Sequence, residues 1–524
     1  MQNSWLVVLP PLFVLFLSFV THRITLSLFL GIISATLLYH DFSILPALKT
    51  TGTQIFEKTE VANLLSWEAF TGSSNLFIYI FLLILGVIIT IITATGASQA
   101  YGKFVQKRLC DRRGAETSSL LLSLFFFIDD YLNVLTVGSV MPAVTDRFKI
   151  PRVKLAYFIN AFAGALCILV PFSSWAAYIL MQLDASGILP TATSETFIIS
   201  SSLNLFVQAI PFAFYSFIVV ATTFFIVRRN ISFGPMRTQE KIAQETGNLF
   251  GGKPKRGKPD EIHQAATTCT MIDFLLPILL LIITVILGLF LTNFRSGPAL
   301  CVGAATTLAL IIPYFLIRKK LQVSQLRPVL WDGVNLMLSS ILLITLAWTF
   351  ADILADNLGT GQFLAHKLGN SVSFSFFPLL FFVGTAGITF GIGSAWGAMT
   401  VVIPIAIPML TTMHPATPPI PLEAITIAIP TISAILAGSV VGNILTPIAD
   451  IVIIGSTSTQ AYHMDHIKTQ QAYIAPIFLA SCISFLLSGM LIDLPTYANA
   501  LLSLSAGVFT SFSLVTLLNY ISTR

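Results

Sequence analysis

Charge is what this 524-residue chain has least of: Asp, Glu, Lys and Arg make up only 10% of it, against 55% for hydrophobic residues. A soluble domain carries about 25% charged residues, so an ordinary water-soluble fold is excluded. Cysteine is scarce as well. Cys110, Cys167, Cys269, Cys301 and Cys482 lie far apart with no CxxC or other ligand spacing, which excludes a disulfide framework and a zinc site. HExxH is missing, and His22, His40, His263, His366, His414, His463 and His466 all fall in loops or at helix ends, so no metal site or histidine catalyst is indicated. The first apolar run, Trp5 to Val20, lacks a basic n-region and a small-residue cleavage site, and a second run from Ile24 to Tyr39 follows at once; it reads as a retained helix.

What the chain does have is long apolar runs, such as Leu76 to Thr93, Phe197 to Val227 and Phe274 to Thr292. These meet the ~18 to 20 residues that cross ~30 Å of hydrocarbon as a helix. Only helices or closed barrels satisfy every backbone group there, so a helical bundle follows. The +5 net charge gathers in Lys103 to Arg113, Arg147 to Lys154, Arg228 to Lys258 and Arg318 to Arg327. The positive-inside rule places all four in the cytoplasm, and the charge reports orientation and lipid contact rather than a nucleic-acid partner. Within the third cluster Gly251 to Pro259 reads as a polar linker. Gly252, Gly257 and Lys258 have P-loop spacing, but Pro259 stands where Ser or Thr should hold magnesium and no strand precedes, so an ATP-driven pump is disfavoured.

Gly114 to Asp146 is apolar, yet has cytoplasmic signals on both sides. It should enter the membrane and return as a re-entrant hairpin centred on Asp129-Asp130-Tyr131-Leu132-Asn133. Residues 443–473 echo 130–157: each has a polar break, a glycine, then a polar loop ending in Ala-Tyr. The flanks of this second break, Thr411 to Pro421 and Ser456 to Thr469, hold only Lys468 as a fixed positive charge and read as extracytoplasmic. Two hairpins from opposite sides are the product of inverted-topology repeats. The expected fold is therefore an all-α polytopic membrane protein of about twelve transmembrane helices plus two re-entrant hairpins in inverted repeats, with both termini outside. Its expected divisions are an N-terminal half with the first hairpin at 1–230, a cytoplasmic linker at 231–270, a connecting helix pair at 271–328 and a C-terminal half with the second hairpin at 329–524. Residues 391–397 read as either a tight turn or an unwound segment.

An aspartate at a helix centre costs ~2.5 to 3.5 kcal/mol on insertion scales, so two adjacent ones between apolar stretches point to ion or proton handling. Two carboxylates this close cannot both ionise freely unless a cation binds between them, which lets sodium and protons compete. The alternative is a helix cap at the membrane surface. Asn133 and Thr136 follow at helical spacing with neutral oxygens; Asn443, Thr446, Pro447 and Asp450 form the corresponding set in the second break, where proline frees carbonyls as further hard-cation ligands. The expected ion site is Asp129, Asp130, Asn133, Asn443, Thr446 and Asp450, with the three aspartates as the sodium carboxylates. Ser173-Ser174-Trp175 and Ser394-Ala395-Trp396 repeat a serine-x-tryptophan spacing that suits a substrate pocket or helix packing; together with Ser456 they form the expected substrate set.

These motifs are familiar in combination. Phe127-Ile128-Asp129-Asp130-Tyr131 with Asn133, Val137-Gly138, Thr145-Asp146-Arg147, Lys154-Leu155-Ala156-Tyr157, Ser174-Trp175, Gly393-Ser394-Ala395-Trp396-Gly397, Pro447-Ile448-Ala449-Asp450 and Asp465-His466 with Thr469-Gln470 resemble the NhaC-type sodium/proton antiporter family, in order, over Ala94 to Ala475. The resemblance implies a secondary transporter of the cytoplasmic membrane, with relatives that exchange sodium for protons and others that move carboxylates or amino acids. Gly442-Asn443-Ile444 stands where the family often has Gly-Asp-His, Thr446-Pro447-Ile448-Ala449-Asp450 where it has Ser-Pro-Ile-Ser-Asp, and Asn160 and Ile179 where acidic residues are common. Fewer titratable groups leave room for an organic substrate.

The expected function is sodium/proton antiport or sodium-coupled transport by alternating access, with a carrier of a small organic anion or amino acid as the alternative. An ion channel is disfavoured, because the chain carries its own inverted repeat rather than selectivity loops shared among subunits. An intramembrane aspartyl enzyme would want carboxylates on two facing helices, which Asp129/Asp130 with Asp450 could supply, and is the less expected alternative. No cofactor is expected beyond sodium and the proton as transported or coupling ions. The expected partners are the lipid bilayer and a small ion or organic solute, with association as a homodimer left open.

Overall fold

The computed structural model describes residues 5–21, 23–73, 75–97, 100, 111–193, 196–254, 269–292, 296–360, 363, 373–447 and 449–523. Most of the first basic cluster, the P-loop-like Gly257 and Lys258, Cys110, His22, His263, His366 and Ile448 lie outside them. The described chain is an all-helical membrane protein, relieved only by three two-residue strands. Among the described residues, nine helices are long and apolar enough to cross a membrane.

Basic side chains define one end of the bundle. Lys154, fully buried, places its Nζ 2.8 Å from Glu116 and 2.7 Å from Glu240, and Arg112 bonds the same two carboxylates at 3.2 and 2.6 Å. Arg152 reaches Asp146 at 2.7 Å and the Thr459 carbonyl at 2.9 Å, and Lys253 pairs with Asp465 at 2.6 Å. Arg152 and Lys154 thus stand inside the protein rather than in a solvated loop. Both are neutralised by carboxylates from other helices, as burial of a charge requires.

From this basic end helix Arg112–Phe125 runs inward, the chain breaks at residues 126–129, and helix Asp130–Val140 returns toward Asp146. Helix Arg152–Cys167 also starts at the basic end. It breaks at residues 168–173, and Ser174–Ala185 continues to strand Ile188–Leu189. That strand pairs in parallel with Ile198–Ile199, which pairs with Ile420–Pro421 (Ile188↔Ile198↔Ile420), and the three mark the opposite end.

Around the second break the architecture departs from the expected hairpin. Helix Ala428–Leu445, the break at residues 446–449 and helix Asp450–Ser458 form one interrupted crossing that ends at Thr459, against Arg152. The Ser456 to Thr469 flank therefore lies at the basic end. Its positive neighbours, Arg152 and Lys253, come from distant sequence, which is why a count of local charge put it on the other side. Helix His463–Met490 then leads from the basic end to the opposite one, and there a Cβ added to Gly489 would fall 1.9 Å from the Ser375 carbonyl oxygen.

The segment that enters and returns from that opposite end is Phe377–Ile392 followed by Ala395–Met413, which exits to strand Ile420–Pro421. Its tip answers the question left open at 391–397 with a tight turn. Gly393 takes φ +73°, a conformation glycine reaches without Cβ strain, and donates to the Thr389 carbonyl at 2.8 Å, while the Ser394 hydroxyl accepts from the Gly397 N–H at 3.2 Å. The expectation of both termini outside also fails at the C-terminal helix, Thr496–Thr523. It runs back to the basic end, where Asn519 Oδ1 accepts from the Ser232 N–H at 2.9 Å.

Candidate ion and substrate site

Four helices begin in the interior: Asp130–Val140, Ser174–Ala185, Ala395–Met413 and Asp450–Ser458. A helix N-terminus carries unpaired N–H groups and about half a positive charge, so an interior start stabilises a carboxylate. Asp129 meets one of them directly: Ser174 Oγ donates to Asp129 Oδ2 at 2.9 Å, and the Ser174 N–H donates to the Ile128 carbonyl at 2.8 Å. Asp129 and Asp130 are each only 3% exposed. The pair is inside the protein, at the place where the first hairpin tip touches the first interrupted crossing, and is not a surface cap.

The second hairpin tip arrives at the same helix start. Trp396 packs edge-on against Trp175 (centroids 6.1 Å) and lies 4.7 Å from the Tyr178 ring, whose hydroxyl donates to the Trp396 carbonyl at 2.9 Å and meets the Thr400 hydroxyl. Ser174 and Trp175, one residue apart, thereby join Asp129 to the second hairpin. The interrupted crossing 428–458 closes the group from the other side. A Cβ on Gly138 would fall 2.1 Å from Ser458 Oγ and 2.6 Å from its Cβ, so glycine lets helices Asp130–Val140 and Asp450–Ser458 approach as they do. A Cβ on Gly455 would meet the Asn160 amide at 2.3 Å, placing Arg152–Cys167 against the same half-helix.

Of the expected ion ligands, Asp129, Asp130 and Asn133 are buried together at the first tip. Asn133 Nδ2 donates to the Ser123 carbonyl at 2.9 Å, while its Oδ1 receives no hydrogen bond among the described residues. Asn443 and Thr446 are buried at the second break, and Asn443 Oδ1 is likewise without a donor. Asp450 is the first residue of its half-helix; its side chain lies outside the described atoms. Of the expected substrate residues, Ser173 caps its helix by accepting from the Ala176 N–H at 3.0 Å and donates to the Cys167 carbonyl at 2.6 Å, and Ser394 caps Ala395–Met413. Ser456 is held between His463 Nδ1 at 2.9 Å and His466 Nδ1 at 2.8 Å, toward the basic end.

Sequence reading missed the donors that hold the second break. His463 Nε2 lies 2.8 Å from the Pro447 carbonyl, Gln470 Nε2 donates to Ile444 O at 2.6 Å and Gln471 Nε2 to Leu445 O at 2.8 Å, while His466 Nε2 bonds Gln470 Oε1 at 2.9 Å. One side of helix His463–Met490 thus satisfies the carbonyls that the break releases. The i, i+4 spacing of His466 and Gln470 was the available signal. Gln182, whose side-chain polar atoms have no partner among the described residues, was also passed over; Asn160, likewise without a partner there, was noted only as standing where acidic residues are common.

Interior half-helices, one of them opening on a buried carboxylate pair, are the arrangement of a polytopic secondary transporter. The chain belongs to the Na+/H+ antiporter family, which it matches over residues 166–490. A protein of Haemophilus influenzae described as uncharacterized is 28% identical over 513 residues, covering 93% of this chain and 91% of its own. Among solved structures, the YdaH transporter of Alcanivorax borkumensis is similar with a TM-score of 0.47 at 16% identity, over 84% of this chain and 89% of that one. The Neisseria gonorrhoeae protein MtrF, from a class of antimetabolite efflux pumps, has a TM-score of 0.44 at 16% identity over 82% of each chain.

Proposed function

We propose that this transporter exchanges sodium for protons across the cytoplasmic membrane by alternating access, with the Asp129/Asp130 pair as the shared site. The observation that carries this reading is the burial of two adjacent carboxylates at a hairpin tip, one of them bonded to the start of a half-helix. A sodium ion beside them favours the ionised pair; protonation removes its ligands, so the two cations exclude each other. Asn133 Oδ1 and Asn443 Oδ1, buried oxygens without a donor among the described residues, are suited to complete an oxygen shell. The paired hairpins and interrupted crossings act as the two inverted repeats, and rocking of one set against the other opens the site to either side.

A second reading, sodium-coupled movement of a small organic solute, draws on the aromatic wall of Trp175, Tyr178 and Trp396 and on the unbonded amide of Gln182. Proteoliposomes containing a pH-sensitive dye separate the two. An imposed sodium gradient is expected to move protons in wild type and not in Asp130→Asn, which should insert normally because an amide is cheaper in the membrane than a charge. Sodium binding with no sodium-driven proton flux would sink antiport and leave the organic-solute reading.

A further inference from the structure

Away from the ion site, the basic end holds a cavity of about 780 Å³ between helices Arg112–Phe125, Phe214–Arg229 and Thr496–Thr523. Three exposed arginines, Arg113, Arg228 and Arg229, stand around it, and Phe224, Phe225 and Phe512 line it. Among the described residues none of these arginines has a carboxylate partner, unlike Arg112 and Arg152 nearby. Phe225 stacks on Phe512 at 4.1 Å with the rings nearly parallel, and the Arg229 guanidinium sits 6.0 Å over the Phe225 ring. Phe512 is also part of a second, apolar groove of about 610 Å³ that follows the outer face of Thr496–Thr523 past Phe509, Thr516, Leu517 and Tyr520.

We propose that this composite site binds an anionic phospholipid of the inner leaflet, with its phosphate among Arg113, Arg228 and Arg229 and an acyl chain in the groove beside Phe509 and Leu517. Position selects the lipid over free phosphate. Unpaired arginines at the cytoplasmic edge of a bundle attract anionic headgroups, guanidinium forks suit phosphate oxygens, and the cavity continues into a groove on a lipid-facing helix whose Phe509 is 76% exposed. A soluble anion would gain nothing from that groove. A bound lipid would join the first hairpin's outer arm to the C-terminal helix, two elements otherwise linked through Phe214–Arg229.

Thermal unfolding of the purified full-length protein in detergent tests this, with phosphatidylglycerol, phosphatidylcholine or inorganic phosphate added separately. Phosphatidylglycerol should raise the unfolding temperature saturably, and the other two should not. Arg228→Gln/Arg229→Gln should weaken the apparent phosphatidylglycerol affinity about 30-fold. Lys319→Gln/Arg327→Gln, which removes the same charge elsewhere at the basic end, should change it less than about threefold. Arg113→Gln, on a different helix, gives an independent reading if the double variant folds poorly, and should weaken affinity by about fivefold. Equal stabilisation by phosphatidylcholine or by phosphate, equal loss in the Lys319/Arg327 control, or no saturable effect of phosphatidylglycerol would each overturn the site.

Discussion

Ser174 donates a hydroxyl to a carboxylate only 3% exposed, and with its N–H bonded to the Ile128 carbonyl it ties the first hairpin tip to the first interrupted crossing. Ser174→Ala leaves a buried carboxylate short of one donor, a loss of about 1–3 kcal/mol. The ionised form should suffer most, so sodium affinity by calorimetry is expected to fall, and to fall further toward low pH as protonation of the site becomes easier. Unchanged affinity would remove Ser174 from the site. Glu240 gives a contrasting residue, on the amphipathic helix Gly234–Thr246 beyond the span. Burial opposes its charge, but Lys154 and Arg112 outweigh burial and hold its carboxyl below the ordinary value of 4.5. A lowered folded pKa stabilises the protein fully above the ordinary value and is lost only as pH falls through the folded one. Glu240→Gln should therefore cost about 3 kcal/mol, the low end for breaking a buried pair because Lys154 keeps Glu116, and the cost should be constant from about pH 5.5 to 8.5. A penalty that varies with pH in that window would contradict the assignment. The Asp129/Asp130 pair was legible in the sequence because two charges inside an apolar run have no cheap explanation. Burial of Lys154 was not, since its partners Glu116 and Glu240 are 38 and 86 residues away.

At the scale of elements, the breaks were readable and their assignment was not. Asn443 to Asp450 announces a break through polar residues and a proline, between flanks that hold only Lys468 as a fixed positive charge. The tip at Gly393-Ser394 carries no charge, and its only marks are glycines and a tryptophan, so the polar break drew the hairpin to itself. The small-residue spacing in Gly438 and Gly442 held the correcting information. A Cβ at either would fall 2.5 or 2.4 Å from the Phe382 or Ala386 carbonyl, so helices Phe377–Ile392 and Ala428–Leu445 advance side by side in the same direction, as a hairpin arm beside a crossing does. Close approach can be tested where the first hairpin meets the second crossing. Gly138→Val would drive its side chain into Ser458, 2.1 Å from the Cβ position, and should destabilise by about 1–3 kcal/mol through overpacking. Gly52→Ala, with nothing within 4 Å, should be neutral or raise stability by about 0.4–1 kcal/mol by stiffening the unfolded chain. Thermal unfolding of both decides whether the crossing is as tight as drawn; a tolerated valine at 138 would mean that the two half-helices stand apart.

Across the whole molecule, the placement of ends follows from which basic groups share a face, and it yields a topology that differs from the one charge counting suggests. Residues 459–465 sit against Arg152 and Lys253, while the chain on either side of the second hairpin, near Ser375 and Ile420, sits at the far end of the bundle. Local charge misleads here because residues 456–469 contain one lysine, yet their cationic company is supplied in three dimensions by two other segments. By the positive-inside rule, Arg147 to Lys154 and the basic residues from Arg228 to Lys253 are expected to set the basic end on the cytoplasmic side. Single cysteines then have definite sides. Met464→Cys, at a residue 54% exposed, should react with a membrane-impermeant maleimide only from the cytoplasmic side, in inside-out vesicles. Phe376→Cys, at a residue 44% exposed, and Ala416→Cys, also exposed, should react only from the opposite side, in intact cells or spheroplasts. Thr117→Cys and Phe148→Cys, flanking the first tip, should both follow Met464. If Met464 and Ala416 were labelled from the same side, residues 428–458 would be a hairpin rather than a crossing, and the carbonyls held by Gln470 and Gln471 would face the outer vestibule. If Phe376 and Ala416 were labelled from opposite sides, residues 377–413 would be one interrupted crossing rather than a hairpin, and the second tip would no longer reach Ser174 from the opposite face of the membrane.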